Sequence, residues 1–355
     1  MSRARPTRRQ RRAGRRRRRE PAWTRLSDEV LVTRRFADLK LSLRHSDVER
    51  CARKIERHLL RRGLRFRPHL WLSEEWFSPD GVPGIAVPFY MAHPRLMRLE
   101  RHYMDQVEGG NVNWLTRILR HEMGHAIDTA FRLRRRKDWR RVFGKASRPY
   151  PKIYRPRPAS RDFVLHLGHW YAQSHPTEDF AETFAVWLQP KARWRRDYRG
   201  WPALRKLEYV DWLMREISGA RPHVLNHDLI EPLSDNQRTL AEHYRRKRAR
   251  YALDTPDAYD LRLKRIFGEP RRGKRSRRAS TFVRQCRPQL ERLLIRRSRL
   301  HPYLVHHVLR AVTARCRELN LVLETPRRQA KRDLAGVLER ILQHILRRDR
   351  ERYAL

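Results

Sequence analysis

The apolar positions of this 355-residue chain recur mostly at helical spacing, and at the two-residue period of strands in only a few places. Leu39-Lys40-Leu41-Ser42-Leu43 alternates and predicts a strand. Ser46-Asp47-Val48-Glu49 is a capping box that opens a helix running to about Arg62, closed by Gly63. Further strands are expected at His69-Leu70-Trp71-Leu72 and around residues 84–90, separated by a turn at Pro79-Asp80-Gly81. Pro88 confines the last of these to an edge or a bulge. His93-Pro94 then leads into a short helix, and Gly109-Gly110-Asn111 into a long one from about Val112 to Arg134. The order strand, helix, strand, edge strand, helix predicts an α+β fold.

The long helix has two stripes. Leu115, Leu119, Met123, Ala126, Ala130 and Leu133 form an apolar one, while His121, His125 and Asp128 lie on another side. His121 and His125 are four residues apart and leave the same face, so two imidazoles can reach one metal ion. Glu122 lies too far round to share that ion but occupies the general-base position of a zinc hydrolase. Gly124 costs about 1 kcal/mol in a helix interior, which predicts close approach by a neighbouring backbone.

A catalytic zinc takes three protein ligands. The metzincin pattern would need Gly at 128 and His at 131, where this chain has Asp128 and Phe131. The other source is a glutamate from a later helix, and residues 174–188 supply one. Pro176 suits a first helical position, Pro190 ends the run, and Phe180, Phe184, Trp187 and Leu188 make its buried stripe. Glu178 and Glu182 sit one turn apart on a different side, and either one satisfies the spacing.

Trp201 to Ile217 predicts one more helix, closed at Gly219. From about Ser234 the helices expected near 234–252, 256–267, 280–299, 302–319 and 327–350 are amphipathic and heavily basic. Leu290, Leu294, Val308, Val312, Leu334 and Leu338 recur at helical spacing, enough for a small bundle. The division expected is an Arg-rich disordered arm at 1–22, a domain at 23–233, and a basic helical region at 234–355 with a linker at about 269–279.

Charge adds a second theme. Lys and Arg number 84 against 39 acids, giving +45 at pH 7, and only 11 of the 84 are lysine. Eleven arginines fall in the first 20 residues. Nucleic acid or another polyanion is therefore a candidate partner, through the arm and the C-terminal helices. Cys51, Cys286 and Cys316 are odd in number and widely spaced, which suggests neither a disulfide framework nor a cysteine zinc site and fits a reducing compartment. No apolar run can span a bilayer and no apolar stretch follows the basic N-terminus, so a cytoplasmic location is expected.

The HExGH sequence at 121–125 and the block Ser174-His175-Pro176-Thr177-Glu178-Asp179-Phe180-Ala181-Glu182-Thr183-Phe184-Ala185 resemble bacterial zinc-binding metallopeptidases of the thermolysin-like gluzincin group. The resemblance covers roughly 67–215. It implies a zincin-like core, a small mixed sheet with an edge strand against the HExxH helix, for which 84–90 is the candidate edge. It also implies Zn2+ held by His121, His125 and Glu178, with Glu182 supporting a ligand histidine, in an enzyme that hydrolyses protein or peptide. Glu122 would move the proton. Tyr171 and His175, then Tyr150 and Tyr154, are candidate donors to a developing oxyanion. Asp128 is placed to hold a ligand from behind. The basic composition supports a reading from another class: a nucleic-acid- or ribosome-associated protein that keeps a metallopeptidase-like fold without catalysis.

Overall fold

The computed structural model describes residues 20–104, 107–151, 157, 159–168, 170–250, 259–270, 276–297 and 302–348. The basic arm up to residue 19, Tyr154 and residues 271–275 of the expected linker lie outside them. The chain is rich in helix, with two small sheets. The order of its first part is α1 (Asp28–Leu31), α2 (Asp47–Leu60), β1 (His69–Ser73), β2 (Gly84–Pro88), α3 (Pro94–Met104), α4 (Val112–Phe131) and α5 (Lys137–Phe143). Then come α6 (Pro176–Leu188), α7 (Trp194–Asp197), α8 (Ala203–Glu216) and α9 (Leu240–Arg250). Beyond these lie α10 (Asp260–Ile266), β3 (Arg277–Arg278), α11 (Ala279–Arg297), α12 (Pro302–Glu318), β4 (Val322–Leu323) and α13 (Arg327–Arg348).

Local signals set several of these boundaries. Ser46 caps α2 by accepting from the Glu49 amide, while Glu49 reaches back to the amide of His45, one residue before the position a standard capping box uses. Asn111 caps α4 by accepting from the Trp114 amide. Arg132, in the left-handed region at φ 52°, ends α4 three residues earlier than expected.

β1 and β2 pair in parallel, with Leu70 opposite Ile85 and Leu72 opposite Val87. The crossover between them, residues 74–83, has no helix of its own. It turns back so that the Phe77 carbonyl accepts from the amide of Ala86. β2 is thus an outer strand of its two-stranded sheet, every residue of it is buried, and the edge expected at 84–90 is bridged at one point, Ala86. The strand expected at 39–43 is not formed. Lys40 adopts φ 46°, which breaks an extended run, and Leu41 and Leu43 pack on the core without a ladder partner.

One apolar core runs from Leu31 to Tyr244, and a separate one from Leu263 to Leu342. The compositional shift at 234 does not coincide with the change of core. α9 buries Leu240 and Tyr244 in the first, because its short apolar stripe packs on α3 despite its basic outer face. The second core unites α10 to α13, and Trp170 of the first unit packs against it. No described helix is long and apolar enough to cross a membrane.

The contact that positions the site is between α4 and α6. A Cβ built at Gly124 would stand 2.9 Å from Ala181 Cα and 3.2 Å from its carbonyl oxygen. Both obstacles are backbone, so only glycine against alanine lets the helices come this close. Gly124→Ala gains about 1 kcal/mol of helix propensity but forces the helices apart, at about 1–3 kcal/mol. A lowered Tm is expected in thermal unfolding. An unchanged or raised Tm would show that the approach is not limiting.

Candidate metal centre

Three donor atoms converge where α4 crosses α6. His121 Nε2 lies 3.1 Å from His125 Nε2 and 3.0 Å from Glu178 Oε2, and His125 Nε2 lies 3.2 Å from the same oxygen. The helical spacing of the two histidines brings their rings to 4.8 Å between centroids. Glu178, in the first turn of α6, arrives from the other helix. All three residues are buried. A tetrahedral shell with bonds of about 2.0–2.1 Å has edges of about 3.3 Å, close to the sides of this triangle. Two imidazole nitrogens and one carboxylate oxygen are also a donor set suited to zinc.

Two of the three donors are aimed by a neighbour. Glu182 Oε1 accepts from His121 Nδ1 at 2.9 Å, which turns Nε2 toward the cluster. Its Oε2 accepts the Leu167 amide at 2.7 Å, so both oxygens of Glu182 are engaged. Glu178 Oε1 accepts from the Tyr150 hydroxyl at 2.6 Å, leaving Oε2 facing the two imidazoles. Thr177 Oγ1 lies 2.7 Å from that hydroxyl. Burial favours a neutral ring at His121, but Glu178 and Glu182 outweigh it and raise its pKa well above the ordinary value. Burial also works against the Glu178 carboxylate, yet the two histidines hold its pKa well below the usual range. A metal ion bound here competes with the His121 proton, so its binding weakens as pH falls.

Glu122 points elsewhere on α4, as its sequence position requires. The Ser78 hydroxyl, from the β1–β2 crossover, donates to its Oε2 at 3.0 Å. That crossover is tied to the end of α4 through Arg134, whose backbone amide and Nε donate to Asp128 at 2.8 and 2.7 Å. The same guanidinium pairs with Asp80. Asp128 thus touches neither histidine through a hydrogen bond. It anchors the arginine that pins the turn carrying Ser78.

The two leading oxyanion candidates part company. The Tyr171 ring lies 5.6 Å from that of His121, beside the cluster. His175 is the N-cap of α6 instead. Its Nδ1 accepts from the Thr177 amide, its Nε2 lies 2.6 Å from the Arg148 carbonyl, and its ring stacks on Tyr150 at 3.9 Å. Both nitrogens are committed, so His175 cannot act as the expected donor. Ser78 and Thr177 carry no sequence signal, since an isolated hydroxyl in a turn or first helical turn looks like any other.

His166, buried beside α4, lies with Nε2 3.0 Å from the Arg117 carbonyl. Burial pushes its pKa down to about 4. The unfolded chain, with an ordinary value near 6.5, binds this proton first, so stability is present above about pH 6.5 and lost as pH falls toward 4. The loss attributable to His166 is about 3 kcal/mol. His166→Gln is expected to flatten the acid limb of Tm against pH, and parallel curves for the two proteins would contradict this.

The His-His-Glu cluster joins the two helices in a group that could hold a metal ion, with Glu122 one residue from the first histidine. Residues 112–193 match the family described as "Putative zinc-binding metallo-peptidase". The match spans both helices of the cluster and all five of His121, Glu122, His125, Glu178 and Glu182. No curated protein and no solved structure matches the chain. The family match and the cluster together support a metallopeptidase at a general level.

Proposed function

We propose that the protein is a zinc-dependent metallopeptidase of gluzincin type with a zincin-like core, acting on peptide bonds of a protein or peptide substrate in a bacterial cytoplasm. The observation that carries this reading is the triangle of His121 Nε2, His125 Nε2 and Glu178 Oε2 with sides of 3.0–3.2 Å. In this reading those three residues hold the ion, and Glu182 orients His121. Zinc bound there supplies an acidified water and a Lewis acid for the scissile carbonyl. Glu122, steadied by Ser78, takes a proton at its carboxylate and returns it to the leaving amine. Tyr171 donates a hydrogen bond to the carbonyl oxygen as charge develops there. Tyr150 is a positioning residue that keeps Glu178 Oε1 occupied.

The test compares zinc-loaded wild-type protein with Glu122→Gln on a mixed peptide library, with zinc content measured in both. Cleavage by the wild type alone, at equal zinc content, is expected. Absence of cleavage by both would favour a fold kept for binding, the reading to which the charge of +45 lends support.

A further inference from the structure

The second core carries a feature that the metal centre does not explain. Between α10 and α13 lies a cavity of about 530 Å³ lined by Arg262, Arg265, Arg332 and Arg340, with Asp333 the one acid. On α13, Arg332, Gly336 and Arg340 follow at intervals of four and share one face, while Arg262 and Arg265 face them from α10. Four guanidiniums against one carboxylate leave a local charge of +3.

Some arginines of the same unit are neutralised within the chain. Arg287, Arg297 and Arg315 each have a carboxylate partner, respectively Glu291, Glu339 and Asp260. Among the described residues, Arg262, Arg265 and Arg340 have neither an ion pair nor a side-chain hydrogen bond. Arg332 donates to Gln329, and Asp333 accepts from the same amide rather than from any of the four arginines. Like charges gathered in a groove repel one another unless an anion sits among them.

Gly336 supplies an independent observation. A helix-interior glycine costs about 1 kcal/mol relative to alanine, and a tight contact usually accounts for it, as at Gly124. At Gly336 an added Cβ would meet nothing within 4 Å. No packing inside the chain requires the missing side chain. What its absence does is widen the cavity between Arg332 and Arg340.

We propose that this groove is a binding site for a phosphoanion carrying two or more linked phosphate groups, gripped by the guanidinium forks of Arg262, Arg265, Arg332 and Arg340. Arginine suits this role because its planar donors pair with phosphate oxygens two at a time and its charge does not titrate. Several guanidiniums spread along one groove match a chain of phosphates better than a single one. A short polyphosphate and a nucleic-acid backbone offer the same chemistry, and they are told apart by measurement.

The experiment titrates the full chain with tripolyphosphate, then with a short single-stranded RNA, by calorimetry at about 0.15 M salt. Three variants are compared with wild type. Arg265→Glu/Arg340→Glu reverses two groove charges. Arg199→Glu/Arg221→Glu makes the same change at exposed positions in the first unit. Gly336→Met fills the groove at constant charge. The proposal expects the groove pair and Gly336→Met each to weaken tripolyphosphate binding about tenfold or more, and the control pair to change it less than about threefold. Chelation of zinc by the probe affects all variants alike and cancels in the comparison. Equal losses in the two charge-reversed pairs would reduce the effect to the overall field of a very basic protein and overturn the site. So would absence of binding, or Gly336→Met binding as wild type. RNA that displaces tripolyphosphate from wild type identifies a nucleic-acid backbone as ligand, and RNA that does not identifies a small polyphosphate.

Discussion

Glu122→Gln is expected to keep the metal and lose about 10²–10⁴-fold in the rate of peptide hydrolysis, the range by which a positioned general base accelerates such reactions. The separation of effects follows from the geometry. Glu122 is no part of the His121–His125–Glu178 triangle, and its carboxylate is held by Ser78 on the β1–β2 crossover. Glutamine preserves shape and can still accept the Ser78 hydrogen bond, but its amide cannot take up a proton. Zinc content and Tm should therefore match wild type while turnover falls. Activity within a few-fold of wild type would remove Glu122 from the mechanism, and loss of zinc would show that its charge serves the metal instead.

Glu178→Ala and Glu182→Ala are expected to differ in kind. Removing Glu178 deletes one of three donors and leaves the two imidazoles to hold the ion alone. Zinc should then be lost on gel filtration or against a weak chelator. Removing Glu182 keeps all three donors but frees the His121 ring, a change that in comparable sites costs about 10–100-fold in affinity. The same substitution also strands the Leu167 amide, which now donates to Glu182, so some loss of Tm should accompany it. A competition titration against a chromophoric chelator reads both affinities. The reverse order would exchange the two roles.

Much of this arrangement was legible in the chain, for reasons that particular residues make plain. The four-residue spacing of His121 and His125 is a property of one helix, so it needs no knowledge of the rest of the fold. Gly124 announced a close neighbour because its cost in a helix interior is local and known, and that neighbour is the backbone of Ala181. Pro176 and Pro190 bracketed α6, and the Pro and Gly breaks after residue 250 separated helices that form near the expected bounds. Spacing alone left the choice between Glu178 and Glu182 open, because both leave the same side of α6, and only the family resemblance favoured Glu178. The choice depends on which oxygens the Tyr150 hydroxyl and the Leu167 amide occupy. The misreadings share that origin. Residues 39–43 alternate as a strand does, but pairing needs a partner that only the tertiary fold supplies. His175 looked like a free donor until α6 and Arg148 took both its nitrogens. Asp128 lies on the histidine face of α4 yet turns to Arg134. The end of the first unit was misread because composition reports the solvent face of α9, whereas Leu240 and Tyr244 decide where it packs.

The central claim is that a carboxylate from α6 completes a site begun by two imidazoles on α4. Zinc K-edge X-ray absorption on the loaded protein, with Glu178→Ala alongside, tests it most directly. The claim predicts one zinc per chain with two imidazoles and a carboxylate oxygen around it in the wild type, and loss of the bound zinc in the variant. Sulfur in the coordination shell, or a spectrum and zinc content that Glu178→Ala leaves unchanged, would contradict it.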